Sequence, residues 1–238
     1  FLPASDWNGA PGGLSARLID NSAGTVTSGA GPDLTSATGG TTAYSAAAVS
    51  LTTSVTPTND APTAAAASVA LAPMTEDATP AGATVASLFG AAFSDIDGDA
   101  LAGVAVTANA ATAAQGRWQY DAGSGWTDLP AVALTTPFLL KGTDQLRFLP
   151  AADWNGTPGG LSVRLIDNSA GAVTSGAGPD LSGAGATGGA TVYSAAAVAL
   201  TTAVTAVNDA PTPTAASVTL APVAEDATSP AGATVAAL

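Results

Sequence analysis

Residues 59–63 read Asn-Asp-Ala-Pro-Thr, and the same five letters return at residues 208–212. The spacing is 208 − 59 = 149 residues, which is a whole domain rather than one unit of a solenoid. Pro62 and Pro211 fix their own φ and hold the preceding alanine extended, so each copy leaves a module as a stiff strand. We therefore predict that both copies are seams between modules, with Asn and Asp oxygens placed at the boundary.

A second match shows how far the repetition extends. Residues 1–34 agree with residues 148–181 at 30 of 34 positions, at an offset of 148 − 1 = 147. A two-residue insertion in the Gly-rich tract after Leu181 raises the offset to 149. The offset after this insertion equals the spacing of the two seams, so both matches belong to one duplication.

The repetition predicts three pieces of chain. Residues 1–58 form the C-terminal part of a preceding repeat, residues 59–208 a complete repeat, and residues 209–238 the start of the next. Neither partial piece contains the equivalent of residues 89–147, so we expect each to fold poorly alone.

Composition limits the classes of partner. Acidic residues outnumber basic ones 18 to 5, for a net charge of −13, and the chain has no His and no Cys. Such a chain repels nucleic acid and anionic membranes, and it offers neither disulfides nor thiolate metal sites. No apolar stretch reaches the length of a transmembrane helix, so we expect no membrane insertion. Because much of the 47% hydrophobic content is Ala, the core is thin, and divalent cations are expected to help hold the fold.

Hydrophobic periodicity predicts an all-β fold. Short alternating segments bounded by Gly, Pro, Asn or Asp indicate a β-sandwich of Greek-key type. The predicted strands are residues 68–71, 84–88, 104–107, 145–149 and 161–165.

Two Ala- or Gly-rich stretches allow more than one interpretation. Residues 194–207 could be helical by propensity, but their Thr and Val content favours a long final strand. Residues 169–191 are almost wholly Gly, Ala, Ser and Thr, with Asp180 the only charge. A functional loop is one interpretation, and an inert insertion is the favoured one.

The tryptophans indicate core packing. Trp118 and Tyr120 alternate and share a face, and Trp126 follows across a hairpin at residues 122–125. Exposed tryptophans would instead form a sugar-binding platform. With only 5% aromatic residues, burial of these large side chains is favoured, and Trp154 is expected to plug the bottom of the sandwich.

The strongest chemical signal is FSDIDGDAL at residues 93–101. Asp95, Asp97 and Asp99 alternate around a glycine, so a loop brings three carboxylates to one point. Their repulsion is relieved by a hard cation with oxygen ligands, and Ca²⁺ suits this flexible geometry. The alternative is a plain acidic surface turn.

The loop is not an EF-hand, because Ala100 and Val106 stand where the loop glycine and the final glutamate belong. It must borrow ligands from elsewhere. Glu76-Asp77, which recurs as Glu225-Asp226, is the predicted donor, although an isolated Glu-Asp pair is more often a solvated turn.

The motif order resembles the cadherin-like, immunoglobulin-like tandem repeats of giant bacterial adhesins, including RTX-type adhesins. The seam is followed by ED, FSDIDGDAL, GRWQY, LRFLPAADWNG and the next seam. The resemblance implies an extracellular β-sandwich whose junction calcium ions stiffen a stalk. The calcium ligands it implies are Asn59, Asp60, Glu76, Asp97 and Asp99 at the first junction, with Asp95 and Asp167 as additional candidates, and Asn208, Asp209 and Glu225 at the second. The aspartate loop has no counterpart after residue 209, so the second site is expected to be incomplete.

Three functions compete. The favoured one is a calcium-stiffened extracellular spacer of a secreted bacterial adhesin, which supports cell adhesion or biofilm formation and has neighbouring repeats as its partners. Other domains would contact a glycan or surface ligand. The alternative is a carbohydrate-binding module that uses Trp118, Trp126 or the Gly-rich loop. An enzyme is not expected, because a glycosidase would need Asp97 and Asp99 as acid and base, and these residues follow the pattern of a cation cage.

Overall fold

The computed structural model describes residues 1–237, and strands dominate it. The described residues contain one α-helix, α1 (Val85–Phe89), besides short 3-10 turns. The strands are β1 (Leu14–Ile19), β2 (Tyr44–Leu51), β3 (Thr63–Ala64), β4 (Ser68–Ala70), β5 (Met74–Thr75), β6 (Ala83–Thr84), β7 (Phe93–Ser94), β8 (Leu101–Asn109), β9 (Gly116–Asp121), β10 (Thr127–Asp128), β11 (Phe138–Lys141), β12 (Gln145–Pro150), β13 (Leu161–Asp167), β14 (Gly176–Ala177), β15 (Val198–Thr201) and β16 (Val204–Thr205). The expected all-β class is confirmed.

Two larger sheets organise the central part of the chain. One has six strands in the order β14-β11-β8-β13-β15-β4, and the other has four in the order β10-β9-β12-β6. All pairings in these sheets are antiparallel except β4 with β15, and β5 pairs in parallel with β16 in a separate small ribbon. Strands β4 and β5 therefore run alongside the last strands of the repeat, β15 and β16, and in the same direction.

Both sheets contribute to one hydrophobic core. Trp118 and Phe148 enter it from the four-stranded sheet, and Leu165 and Leu200 enter from the six-stranded sheet. Trp118 is 1% exposed, lies with its ring centroid 5.3 Å from that of Phe148, and donates its indole N–H to a backbone carbonyl 2.9 Å away. The predicted core role of Trp118 is confirmed, because its one polar atom is satisfied and its rings are buried.

The other predicted aromatic anchors lie at the margins of this core. Tyr120 is half-buried, and its ring centroid lies 4.8 Å from that of Phe138. Trp126 is also half-buried, and the Arg147 guanidinium lies 4.1 Å from its ring centroid. Trp154 packs edge-on to the core at 6.4 Å from Phe148, at the end where residue 156 pairs with residue 204.

The predicted strand at residues 84–88 is wrong, since most of it is helix α1. Thr84 is the N-cap, and its hydroxyl accepts the N–H of Ser87 at 3.2 Å. Val85 and Phe89 are four residues apart and both are fully buried. A spacing of four residues places both side chains on one face of a helix. Val85 is β-branched, which is more typical of a strand and explains why the sequence favoured one.

The long final strand predicted for residues 194–207 is also wrong. The Ser194 hydroxyl accepts the N–H of Leu165 at 3.0 Å and donates to the Ala196 carbonyl at 2.7 Å, which delays the start of β15. Buried Thr202 then separates β15 from β16, and its hydroxyl donates to the Ala72 carbonyl at 3.3 Å. The chain thus changes its partner from β4 to β5 at this point.

The Gly-rich tract is packed onto the outer face of the six-stranded sheet. Leu181 is 3% exposed and contacts Ala105 and Ile166 in a second small apolar cluster. Strand β14 adds to the sheet edge, and the Ser175 hydroxyl donates to the buried carboxylate of Asp144. The tract therefore has a structural role that its composition does not predict.

Candidate metal centres

The first acidic cluster is built around Asp95, directly after β7. The Asp95 Oδ1 accepts the N–H of Asp97 at 2.9 Å and that of Asp99 at 3.4 Å. Gly98, at φ +84°, supplies the left-handed turn between them. One carboxylate oxygen from each of the three aspartates lies within 4.8 Å of the others, so the expected convergence is found.

The first seam is attached to this loop. The Asp60 N–H donates to Asp97 Oδ2 at 2.7 Å. On the other side, the Asn59 side-chain amide donates to the Thr191 carbonyl at 3.2 Å, and the Ala61 N–H bonds Gly189 at 2.6 Å. The seam is therefore held between the aspartate loop and the last turn of the Gly-rich tract.

Asp167 lies at the carboxyl end of β13, near enough to the aspartate loop for its charge to raise the pKa of Asp99. It is 1% exposed, and its Oδ1 accepts the Ser169 N–H at 2.9 Å. The neighbouring Asn168 side chain accepts the Ala100 N–H at 2.9 Å, which ties this strand end to the aspartate loop.

Three buried oxygens of this cluster lack a hydrogen-bond partner among the described residues. They are Asn59 Oδ1, Asp95 Oδ2 and Asp167 Oδ2. Buried acceptors are ordinarily satisfied, and leaving one unpaired costs about 1–3 kcal/mol. Each of the three is an oxygen ligand of the kind that a hard cation such as Ca²⁺ prefers.

The repulsion between the carboxylates of the cluster also favours a bound cation. Desolvation raises the pKa of Asp99, and the nearby charges of Asp167, Asp95 and Asp97 raise it further. The pKa of Asp60 is raised by desolvation and then by three neighbouring aspartates, of which Asp6 is the first. A bound divalent cation would remove this repulsion.

A second acidic cluster surrounds Glu76, which is 6% exposed. Its Oε1 accepts the Val207 N–H at 2.6 Å, and its Oε2 accepts the Asn155 side-chain amide at 3.2 Å. The pKa of Asp209 is raised by desolvation and then by Asp153, Asp77 and Glu76. Glu76 therefore belongs with the second seam.

The predicted grouping of Glu76 with Asp97 and Asp99 is wrong. Strand β13 begins at Leu161, which pairs with Leu200 of β15 near the second cluster. The strand ends at Asp167, beside the aspartate loop of the first cluster. The two clusters thus lie at opposite ends of the complete repeat. The chain reaches Glu76 by running the length of the repeat through β4 and β5.

Two remaining predicted ligands make fewer contacts. The Asn208 side-chain amide donates to the Asp209 carbonyl at 3.3 Å, and Asn208 is exposed. Glu225 is exposed in a segment without a strand, residues 209–234. Both remain predictions.

Asp6 and Asp153 are further candidate site residues that the sequence analysis did not single out. Each occupies the same position of a repeated Asp-Trp-Asn-Gly turn, and each has a left-handed backbone, at φ +59° and +57°. Asp6 lines an open cavity with Asp60 and Asp97, and Asp153 raises the pKa of Asp209. Their signal in the sequence was the repetition of an acidic residue in a tight turn.

None of the helical segments described within residues 1–237 has the length and apolar character that a bilayer span requires. Comparison with protein-family models, with curated proteins and with solved structures finds no match to this chain.

Proposed function

We propose that this chain is a calcium-stiffened spacer of an extracellular bacterial adhesin, built from cadherin-like repeats. The single observation that carries the proposal is that the seam, the aspartate loop and the end of β13 each carry a buried oxygen without a partner among the described residues, on Asn59, Asp95 and Asp167. On this proposal the paired sheets are a Greek-key sandwich. Calcium would bind the unpartnered oxygens at the seam.

The internal repeat allows the two clusters to be combined into one junction. Asp6 corresponds to Asp153 at the offset of 147, and Asp60 corresponds to Asp209 at the offset of 149. The first cluster contains the seam, this aspartate and the aspartate loop of the following module. The second contains the seam, the same aspartate and the Glu76 group of the preceding module.

We infer that a complete junction uses all four parts at once. The Glu76 group and Asp153 come from the module before the seam, Asp209 from the seam, and an aspartate loop from the module after it. Calcium bound across these parts would fix the angle between two modules, because its ligands come from both. Without calcium, like charges on the two sides of the seam would repel and loosen it.

The tryptophans weigh against the carbohydrate-binding alternative. Trp118 is buried, and the Arg147 guanidinium covers one face of Trp126. Trp118 and Trp126 therefore do not form the exposed, coplanar platform that sugar binding would need.

Solution scattering tests the proposal. The chain is measured in chelator, in Mg²⁺ and in Ca²⁺, and its maximum dimension and flexibility are compared. The proposal expects a longer and stiffer particle in Ca²⁺ alone, and an Asp97→Ala variant should show no such change. Identical profiles in all three conditions would exclude calcium stiffening.

A further inference from the structure

The chain contains three places where glycine follows Asn or Asp, at residues 8–9, 97–98 and 155–156. In such a pair the glycine nitrogen can attack the preceding side-chain carbonyl carbon, because glycine has no side chain to obstruct the approach. A cyclic succinimide forms, and the side chain loses ammonia from Asn or water from Asp. Water then opens the ring at either carbonyl and leaves aspartate or isoaspartate.

The fold protects both Asn-Gly pairs. The Gly156 N–H donates to the Val204 carbonyl at 2.9 Å, and the Gly9 N–H donates to the Val55 carbonyl at 2.9 Å. In each pair the nitrogen that would attack is therefore engaged in a hydrogen bond. This bond must break before the ring can close, which slows the reaction in the folded chain.

The Asp97-Gly98 pair lacks this protection. The Gly98 N–H has no acceptor among the described residues, although the N–H groups on either side of it both donate to Asp95 Oδ1. Gly98 has φ +84°, and nothing lies within 4 Å of the position that a Cβ would take. The glycine is therefore uncrowded, and its nitrogen is free to react.

The Asp97 side chain also has a donor where the reaction needs one. The Asp60 N–H donates to Asp97 Oδ2 at 2.7 Å. When a nitrogen adds to Cγ, negative charge collects on the carboxyl oxygens. A backbone N–H that already points at one of these oxygens stabilises that charge.

We propose that Asp97 is a site of spontaneous isoaspartate formation in the folded chain. The Gly98 nitrogen bonds to Asp97 Cγ and loses its proton, and one carboxyl oxygen leaves as water. Hydrolysis returns this water when it breaks the bond between the Asp97 main-chain carbonyl carbon and the nitrogen. The main chain then runs through the Cβ and Cγ of Asp97, and no oxidant, reductant or cofactor takes part.

The product changes the aspartate loop. The main chain gains an atom at this point, so Asp99 shifts relative to Asp95. The contact of Asp97 Oδ2 with the Asp60 N–H is lost, and the seam comes away from the loop. The reaction does not depend on calcium, but in the function proposed above it would withdraw a calcium ligand from the junction.

Incubation of the whole chain in chelator, followed by trypsin digestion and mass spectrometry, tests the proposal. Cleavage after arginine releases residues 18–117, which contain Asp97, and residues 148–164, which contain Asn155. In the folded chain isoaspartate should accumulate at Asp97, as located by electron-transfer fragmentation, while Asn155 should keep its amide.

The same incubation in denaturant should reverse this order. An ionised carboxylate resists nucleophilic attack more than a neutral amide does, so Asn155 is the faster of the two when neither is protected. Loss of its hydrogen bond to Val204 should speed the reaction at Asn155 by about tenfold or more. The rate at Asp97 should change little, because its glycine nitrogen is free in both states.

Two variants complete the test. Asp97→Glu should abolish isoaspartate at this position, because the longer side chain would have to close a larger ring. Asp99→Glu is the matched control, since it makes the same change in the loop, leaves the Asp97-Gly98 pair intact and should keep the signal. Modification of Asn155 ahead of Asp97 in the folded chain would overturn the proposal, and so would folding that slows Asp97 as strongly as Asn155.

Discussion

Replacing Asp167 by Asn should reduce the stabilisation that calcium gives to the complete repeat by half or more. The Asp167 Oδ1 keeps its turn, because an amide oxygen can still accept the Ser169 N–H. What is lost is the charge of a side chain that is 1% exposed and whose second oxygen has no partner among the described residues. Asp20, its counterpart at the offset of 147, provides the matched control, because it makes the same contact to Ser22 while exposed.

The size of the effect follows from ligand linkage. Extracellular calcium modules bind with dissociation constants of about 10⁻⁴–10⁻³ M. At about 10 mM Ca²⁺, one such site stabilises the folded state by about 1.4–2.7 kcal/mol. For a module of this size the melting temperature rises by roughly 2–4 °C per kcal/mol, which gives a shift of roughly 3–11 °C. If the wild-type dissociation constant is about 10⁻³ M, a tenfold loss of affinity would leave a stabilisation of only a few tenths of a kcal/mol. If it is about 10⁻⁴ M, the same loss would remove about half of the stabilisation.

Thermal melts followed by circular dichroism measure this shift. Wild type and Asp20→Asn should both show it on addition of Ca²⁺, and Asp167→Asn should show at most half of it. In chelator, Asp167→Asn should melt at or above the wild-type temperature, because a repulsive buried charge has been removed. An undiminished calcium shift in Asp167→Asn would refute the assignment of this oxygen to the metal.

Three further predictions concern charge, packing and location. The pKa of Asp99 is raised on folding by desolvation and by neighbouring carboxylates, so in chelator its contribution is present below pH 3.8 and is lost as the pH rises through its folded pKa. Asp99→Asn should therefore stabilise the calcium-free protein at pH 7, by a margin that disappears in denaturant titrations near pH 3.5. Leu165→Ala should lower the free energy of unfolding by about 3–5 kcal/mol, and Leu18→Ala by less than about 0.5 kcal/mol, in urea titrations. Glu76→Gln should keep the calcium-dependent shift in melting temperature that Asp97→Ala abolishes, because the two residues belong to different clusters.

Each of these has an outcome that contradicts it. A stabilisation of Asp99→Asn that is constant across pH would mean that it does not come from removing the charge of Asp99. Equal costs at Leu165 and Leu18 would mean that the hairpin of β1 and β2 is covered in solution. A calcium shift lost in Glu76→Gln would restore the grouping that the sequence favoured.

Local features of the site were predictable from sequence. The aspartate loop needs only alternating carboxylates and a glycine, and Gly98 does take the left-handed conformation. The core role of Trp118 followed from alternation with Tyr120. Both inferences involve residues within a few positions of one another, where chain geometry limits the choices.

Relations between distant residues were not predictable. Glu76 follows the first seam by 76 − 60 = 16 residues, which looked close in sequence. The intervening chain is extended, and it carries Glu76 to the far end of the repeat. Helix α1 was missed for another reason, since Val85 and Phe89 are buried at helical spacing in a segment too short to show a period.

The parallel pairing of the first and last strands has a consequence for load. If the chain serves as the stalk proposed above, a pull along it enters the repeat at the first seam and leaves at the second, so it draws β4–β5 and β15–β16 past each other lengthwise. The three residue pairs of β4 with β15 and the two of β5 with β16 are then loaded together, in shear. Rupture requires these pairs to fail at once rather than one after another, and the repeat resists tension along its own axis better than peeling from its side.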